Sequence, residues 1–304
     1  MPSFKKLIKN PAKFVYILDK IKFSKLIPDR AYLKLKYRAN FGRKLNLKSP
    51  KTFNEKLQWL KLYDRKTEYT ALVDKYEVKS HVAEKIGEEY IIPTLGVWDH
   101  AEDIDFDALP NQFVLKCTHD SGGIVICRDK SQLDVEKAKR ILNRALKNNF
   151  YFSGREWPYK NVKARILAEQ YMEDAETAEL RDYKVHNFNG EPKLVLVCGN
   201  RFSKSGLTED FYSNTWEHLN VRRPNHPNAD VPAEMPEVLQ QMFEFSRILS
   251  KGVPFLRTDF YIVNHKIYFG ELTFFPANGF APFDPEEWDD TFGSWIKLPE
   301  EKKG

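Results

Sequence analysis

An α+β (mixed α/β) protein is what this sequence predicts, on three observations. From residue 70 onward, short runs of β-branched and aromatic residues alternate with longer stretches whose apolar residues recur every three or four positions, so strands and helices interleave. Two apolar alternations are interrupted by turn residues, Asn189-Gly190 in RDYKVHNFNGEPKLVLVCG and Asn264-His265 in FLRTDFYIVNHKIYFGELTF, and each reads as an antiparallel hairpin. Ahead of residue 52 the chain is basic and helical in pattern, a helical extension placed before the mixed region.

Composition bounds the class. Hydrophobic residues make up 42%, aromatic residues 14% and charged residues 30% of 304 positions, too apolar for a disordered chain and too polar for a membrane protein. No run approaches the roughly 18 apolar residues needed to cross a bilayer. A chain of this length buries a substantial core, in one large domain or in a few interlocked small ones. The opening MPSFKKLIKNPAKFVYILDKIKF interrupts its apolar residues with lysine and lacks a signal-peptide core, so a cytoplasmic location is expected. Cys117, Cys127 and Cys198 are odd in number and lack CxxC spacing, which argues against a zinc knuckle or disulfide framework and reads as small buried strand residues. The net charge of +5 is uneven: residues 1–51 hold fifteen Lys or Arg against Asp19 and Asp29, which leaves the rest net acidic. No nucleic-acid partner is expected. The basic start suits either peripheral contact with an anionic inner-membrane surface, each basic residue adding about 1 kcal/mol, or a solvated helical extension.

In chain order, residues 4–26 space Phe4, Leu7, Ile8, Phe14, Val15, Leu18, Ile21 and Leu26 as surface helices broken at Pro11. Thr52 and Glu55 form a capping box that starts a helix with Phe53, Leu57, Leu60 and Leu62 on one side. TALVDKYEVKSHVAEKIG reads as one helix closed by Gly87, EEYIIPTLGVW as a short strand, and QFVLKCTHDSGGIVIC as strand, glycine loop and strand. DVEKAKRILNRALKNN is a helix with Ala138, Ile141, Leu142, Ala145 and Leu146 on its buried side. Residues 150–163 read as an aromatic and basic linker, RILAEQYME as a strand ending in a turn, and 200–232 as a long irregular loop of functional type. A helix follows from Pro232 to Gly252.

Three constellations carry chemistry. Asp259 and Glu271 oppose one another across the last hairpin; carboxylates are depleted in strands, so the pair reads as a cation site, or as an outward polar pair that Arg257 neutralises. Lys116 leads into the Ser121-Gly122-Gly123 loop, where backbone N–H groups can approach a phosphate, although a tight hairpin explains the same residues. Glu169-Gln170-Tyr171-Met172 ends an apolar strand and can offer backbone groups to a purine edge, or is simply a buried strand end.

Taken in order, VDKYEVK, VLKCTHDSGG, AEQYM, the Asp182/Lys184 hairpin, LRTDF and GELTFFPANG resemble the ATP-grasp superfamily. LKCTHDSGG, RILAEQYM and GELTFFPANG are most similar to its TupA-like group, associated with teichuronopeptide and capsular polysaccharide synthesis. The resemblance covers residues from about 50 to 290 and implies two α+β subdomains clasping ATP. The divisions it implies are an extension over 1–51, an N-terminal α/β region over 52–110, a lid subdomain over 111–170, a catalytic subdomain over 171–295 and a tail over 296–304. It further implies ATP and Mg²⁺ as cofactors. Lys75 and Lys116 would take the α- and β-phosphates, Ser121, Gly122 and Gly123 the γ-phosphate, and Glu169, Tyr171 and Met172 the adenine. Glu179 or Glu176 would bind the ribose, and Lys184 a phosphate. Asp259, Glu271 and Thr273 would hold the metal, with Thr273 where most members carry Asn and Asn278 as a substitute, while Arg257 stabilises the developing oxyanion. His119 lies within reach of the γ-phosphate in this reading, and Arg201, Lys204, Tyr212, Trp216 and Arg222 offer substrate contacts.

The expected activity is ATP-dependent ligation of a carboxylate to an amine through an acylphosphate, the acid being a uronic acid or related polysaccharide precursor and the amine an amino acid or similar compound. Two alternatives are a sugar or polyol kinase on the same nucleotide site and a glycosyltransferase. The second has no persuasive DxD motif behind it, and the only adjacent Asp-Asp pair, Asp289-Asp290, lies in a terminal acidic run. A non-catalytic nucleotide-binding factor of a capsule assembly is a third.

Overall fold

The computed structural model describes residues 10–175, 180–200 and 206–300. Its first part is helical: α1 (Val15–Lys20) between two 3₁₀ turns, α2 (Asp29–Phe41) and α3 (Phe53–Tyr63). Helix α2 ends at Gly42 in the left-handed region (φ 71°), and α3 starts at the expected capping box, Thr52 with Glu55. The sequence reading did not anticipate α2. Nor is it a solvated extension: Tyr32, Leu33, Tyr37 and Ala39 are buried in the same core as α3 and the large sheet. The apolar face of α2 is mostly tyrosine, whose rings fill core volume while the hydroxyls find polar partners.

Between residues 69 and 86 the expected single helix is two, α4 (Tyr69–Val73) and α5 (Glu77–Ile86). Asp74 breaks it, because its carboxylate accepts the backbone N–H of Tyr76 and Glu77 and so caps α5. Strands β1 (Thr94–Trp98), β2 (Phe113–Cys117), β3 (Ile124–Cys127) and β4 (Ile166–Gln170) form a four-stranded antiparallel sheet in the order β1-β4-β2-β3. Helix α6 (Val135–Leu146), capped by Asp134, packs Ala138, Leu142 and Ala145 onto this sheet, while Ile141 and Leu146 are only partly buried. The stretch read as a linker contains a short helix, α7 (Tyr151–Gly154), and a 3₁₀ helix over Trp157–Asn161.

The larger sheet contains β5 (Asp182–Phe188), β6 (Glu191–Gly199), β7 (Thr208–Ser213), β8 (Phe255–Val263) and β9 (Lys266–Thr273), antiparallel throughout in the order β7-β6-β5-β8-β9. Both predicted hairpins close at left-handed turn residues, Asn189 with Gly190 and Asn264 with His265. Strand β7 falls inside the stretch read as irregular, where six residues beside Pro and Asn offer little signal. Helix α8 (Leu239–Ser250) starts later than predicted, since Pro236 lacks the N–H that a helix interior needs. The acidic run near the end forms α9 (Glu287–Trp295), and its buried Asp289 accepts both the backbone N–H and the side-chain amide of Asn54 on α3.

Strand register sets the two faces of this sheet. One face lies under α8, whose Ser246 hydroxyl meets that of Thr258 at 2.6 Å. The opposite face collects Asp182 and Lys184 from β5, Arg257 and Asp259 from β8, and Glu271 and Thr273 from β9. All three cysteines are buried in strands as expected. Among the described residues no helix is long and apolar enough to cross a membrane.

Candidate active site

Asp259 and Glu271 are direct cross-strand partners, and Arg257 pairs with Thr273 one step away. A bulge at Gly270 produces this alignment: Asp259 pairs with Glu271 but Phe260 with Phe269, leaving Gly270 unmatched. A Cβ at position 270 would lie 3.1 Å from the Asp259 carbonyl oxygen and from the Tyr261 ring, so glycine lets the strands close here. The Arg257 guanidinium grips both oxygens of Asp259 at 2.6 Å and reaches Glu271 at 3.1 Å and the Thr273 hydroxyl at 3.0 Å. Lys184 donates to Asp259 at 2.7 Å and lies 3.1 Å from Asp182. Burial opposes the charge of both cations, yet Asp259 and its acidic neighbours outweigh it and hold both above their usual pKa ranges.

The small sheet presents a complementary wall. Glu169 on β4 is buried between Lys79 of α5 at 2.7 Å and Lys116 of β2 at 2.5 Å. Burial raises its pKa, but the two lysines prevail and keep the carboxylate below its ordinary range. Tyr261 of β8 registers both walls: Asp182 first, then burial, then Glu271, Asp259 and Glu169 raise its hydroxyl pKa. Tyr261 thus lies near enough to Glu169 of the small sheet and to the Asp259–Glu271 cluster of the large one to feel both, and the space between these two walls is the candidate cleft.

The glycine loop closes one end. Lys75 donates to the carbonyl of Asp120 at 2.8 Å, and the backbone N–H groups of Ser121 and Gly122 both donate to the Asp120 carboxylate. An anionic oxygen already sits where these amides point. Gly123 has a packing role instead, since a Cβ there would fall 2.5 Å from that of Ala145. His119 turns away from the cleft, with Nε2 against the carbonyls of Ala145 and Asn148. Tyr171 and Met172 are half-buried at the end of β4.

Sequence reasoning missed several groups. Lys79, one helical turn after Lys75, makes the Glu169 ion pair; its spacing within DKYEVK was the available signal. Arg165 grips Asp74 and Glu77. Glu156 is buried without a side-chain hydrogen bond; burial lifts its pKa to about 7, Lys61 opposes this and Glu271 adds to it. Lys61 is fully buried, donates to Gln58 and to the carbonyls of Gly154 and Asn278, and is lowered by burial to about 7. Asn278 stands in the left-handed region (φ 56°) with its side-chain oxygen pressed against Gly154, where a Cβ would come within 1.6 Å.

Other expected positions lie elsewhere. Tyr212 belongs to the α8 face, behind the Asp259 cluster, where it stacks on Trp216 at 4.5 Å and accepts the Ala233 N–H. Arg222 is exposed and spent on Asp284 at 2.6 Å. Glu176, Glu179, Arg201 and Lys204 lie outside the described residues.

The fold is similar to that of D-alanine–D-alanine ligase from Bacillus anthracis complexed with ATP (16% identity over 67% of this chain and 55% of that one, TM-score 0.39). It is also similar to D-alanine–D-alanine ligase from Helicobacter pylori (13%, 80% and 69%, TM-score 0.41) and to the ATP-grasp ligase PsnB complexed with a phosphomimetic variant of its minimal precursor, Mg and ADP (11%, 92% and 70%, TM-score 0.43). The chain thus spans 55% of the length of the Bacillus anthracis ligase. No curated protein matches the sequence. The TupA-like ATPgrasp family model matches residues 55–297, and the chain belongs to that family.

Proposed function

We propose that the protein is an ATP-dependent carboxylate–amine ligase acting on an acidic sugar or polysaccharide precursor. The observation that carries this reading is the Asp259–Glu271 pair held with Arg257 and Lys184 on one face of the large sheet, with the Lys116–Glu169 pair on the small sheet as its counterpart. Among the described residues no three Asp, Glu, His or Cys converge as a cation cage. Two carboxylates and the Thr273 hydroxyl suit Mg²⁺, which keeps waters and phosphate oxygens as most of its ligands. Asp259, Glu271 and Thr273 would hold such an ion, which would supply charge neutralisation at the phosphates.

The protein's own groups then position and polarise. Lys116, Lys75 and Lys184 hold phosphate oxygens, and the Ser121 to Gly123 backbone closes over the terminal phosphate once Asp120 yields its amides. Glu169, Tyr171 and Met172 border the adenine position. The substrate carboxylate attacks the γ-phosphorus, the bond to ADP breaks, and Arg257 faces the charge that develops. The amine next attacks the acyl carbon, inorganic phosphate leaves and the amine loses a proton, giving an amide.

Purified protein with ATP, Mg²⁺, a uronic acid and hydroxylamine tests this. A hydroxamate with stoichiometric ADP is expected; ADP with a stable phosphosugar and no hydroxamate would replace the ligase by a kinase.

Peripheral membrane contact also belongs to this reading. Phe14, Ile21, Phe23 and Leu26 expose between 51% and 74% of their surface in a segment that also carries Lys13, Lys20, Lys22 and Lys25. Sedimentation with anionic but not neutral vesicles is the expected result, and equal recovery with both would reject it.

A further inference from the structure

A cavity of about 410 Å³ lies beside the cleft, bounded by α2, by the loop carrying Arg223 and His226, and by the loop carrying Asn278 and Phe280. Arg223 is the unusual group in its wall. Its side chain is 12% exposed, its Nε is buried without a hydrogen-bond partner, and the nearest carboxylate oxygen, on Glu209, is 3.9 Å away. Burial presses against the charge, Glu209 offsets part of that pressure, and the neighbouring Arg257 cation adds to it. Arg257 itself is gripped by Asp259 and Glu271, and Arg222 is paired with Asp284. Arg223 is thus a guanidinium largely taken out of water, paired with Glu209 only at 3.9 Å and with its Nε lacking a hydrogen bond, an arrangement that favours an arriving oxyanion.

The rest of the wall suits a sugar. Asn40, His226 and Lys36 add polar groups to a wall that also contains Phe280. The Lys36 ammonium is held closely by Asp19, whereas Arg223 has its carboxylate partner, Glu209, at 3.9 Å. His186 and Glu209, the other titratable neighbours from the large sheet, leave this balance in place: His186 is held neutral by burial and by Arg257 and Arg223, and Glu209 stays at 3.9 Å.

We propose that this cavity is the acceptor subsite, that it takes a carboxylate-bearing sugar, and that Arg223 holds the carboxylate in its planar fork beside Arg257. The assignment rests on the ligase reading, and it gives the otherwise unassigned α2 a purpose as one wall of the site.

The test is binding of glucuronate to ATP-free protein, followed by ligand-observed NMR, with glucose and inorganic phosphate as comparison ligands. Glucuronate should bind the wild type in the millimolar range and glucose much more weakly. Arg223→Met should weaken glucuronate at least tenfold, Arg223→Lys less, and His226→Ala a few-fold. Arg223→Met strands the buried Glu209 carboxylate, so a melting curve must accompany the binding assay, and Arg223→Lys, which keeps the charge, is the folded comparison. Equal affinity for glucuronate and glucose, an Arg223→Met protein that binds as well as wild type, preference for phosphate over glucuronate, or no binding up to about 10 mM would each overturn the proposal. If glucuronate binds through Arg223 but no hydroxamate forms, the ligase reading fails and the subsite stands. If hydroxamate forms with an unchanged KM for the acid in Arg223→Met, the subsite alone fails.

Discussion

The two walls of the cleft hold opposite majorities of charge. The small-sheet wall sets one carboxylate, Glu169, between two lysines; the large-sheet wall sets Lys184 and Arg257 among Asp182, Asp259 and Glu271. Each wall is neutralised from within, and so is the loop above them, where Asp120 occupies the amides of Ser121 and Gly122. On the proposed reading, nucleotide and metal enter by exchanging these internal partners. Phosphates would take the lysines and amides that Glu169 and Asp120 now engage, and a cation held by Asp259 would compete with Arg257 for its carboxylate. Buried ion pairs of this kind add little net stability but fix geometry, and removing one partner is costly because the other is left charged and dry.

The comparison is broken most severely at Asp259. Asp259→Asn should lower ligation at least about a thousandfold, the scale of removing a main electrostatic element from a phosphoryl-transfer site. The same change strands Lys184 and Arg257, so a melting curve must accompany the assay; a folded variant with retained turnover would reject the metal assignment.

Glu169 is the matching residue on the other wall, and its loss should be felt first in stability. Glu169→Gln leaves Lys79 and Lys116 facing each other in a buried position, and a loss of about 3 kcal/mol is expected by denaturant unfolding. Loss of less than about 1 kcal/mol would mean the lysines are solvated and the wall is open.

Which parts of this site could be read from sequence follows from the range of each interaction. The β8–β9 hairpin was legible because its two-residue turn sets the register, but that register alone puts Asp259 opposite Gly270; the bulge at Gly270, which the turn does not dictate, brings Glu271 across from Asp259. The Lys116 strand and the glycine loop were legible for the same local reason. Arg223 against Arg222 was not: adjacent residues in an irregular loop point different ways, and only the Arg222–Asp284 bridge, sixty-two residues apart, decides which side chain enters the cleft. Likewise, Tyr212 reads as an exposed loop residue until β7 is seen to pair with β6, which turns its ring to the α8 face. Helix α2 went unread because its buried face is tyrosine within a lysine-rich stretch, a pattern that resembles a solvated surface.

A smaller effect, on pH, comes from Glu156, buried near Lys61 and within electrostatic reach of Glu271. In the unfolded chain Glu156 ionises near 4.5; in the fold it ionises near about 7. Between these values the native protein keeps a proton that the unfolded chain has lost, so stability should fall as pH rises from about 4.5 to about 7. Lys61, lowered to about 7 from 10.5, acts in the opposite sense, and its contribution should recover as pH rises further. Glu156→Gln should remove the falling limb, worth on the order of 2 kcal/mol between pH 5 and 7. Glu169, held ionised by its lysines, gives no such limb in that window. Unfolding midpoints measured across this range for wild type and Glu156→Gln decide the matter, and parallel curves would show that Glu156 is ionised in the fold.

The smallest expected change concerns Thr273. Its hydroxyl donates to Glu271 at 3.0 Å and accepts from Arg257 at 3.0 Å, so in the ligand-free arrangement it fixes the carboxylate that the proposal gives to the metal. Thr273→Val keeps the shape and removes only that oxygen. If the hydroxyl acts by orienting Glu271 or by holding a water of the ion, the Mg²⁺ concentration giving half-maximal ADP release should rise about three- to tenfold, the effect of losing one supporting hydrogen bond, with kcat at saturating Mg²⁺ nearly unchanged. Thr273→Asn provides a carbonyl oxygen with longer reach and should recover most of the difference. A Val variant with an unaltered Mg²⁺ dependence would remove Thr273 from the site and leave two carboxylates as the protein's whole share of the coordination. A variant inactive at every Mg²⁺ concentration would place the hydroxyl nearer the reacting phosphate than its contacts with Glu271 and Arg257 imply.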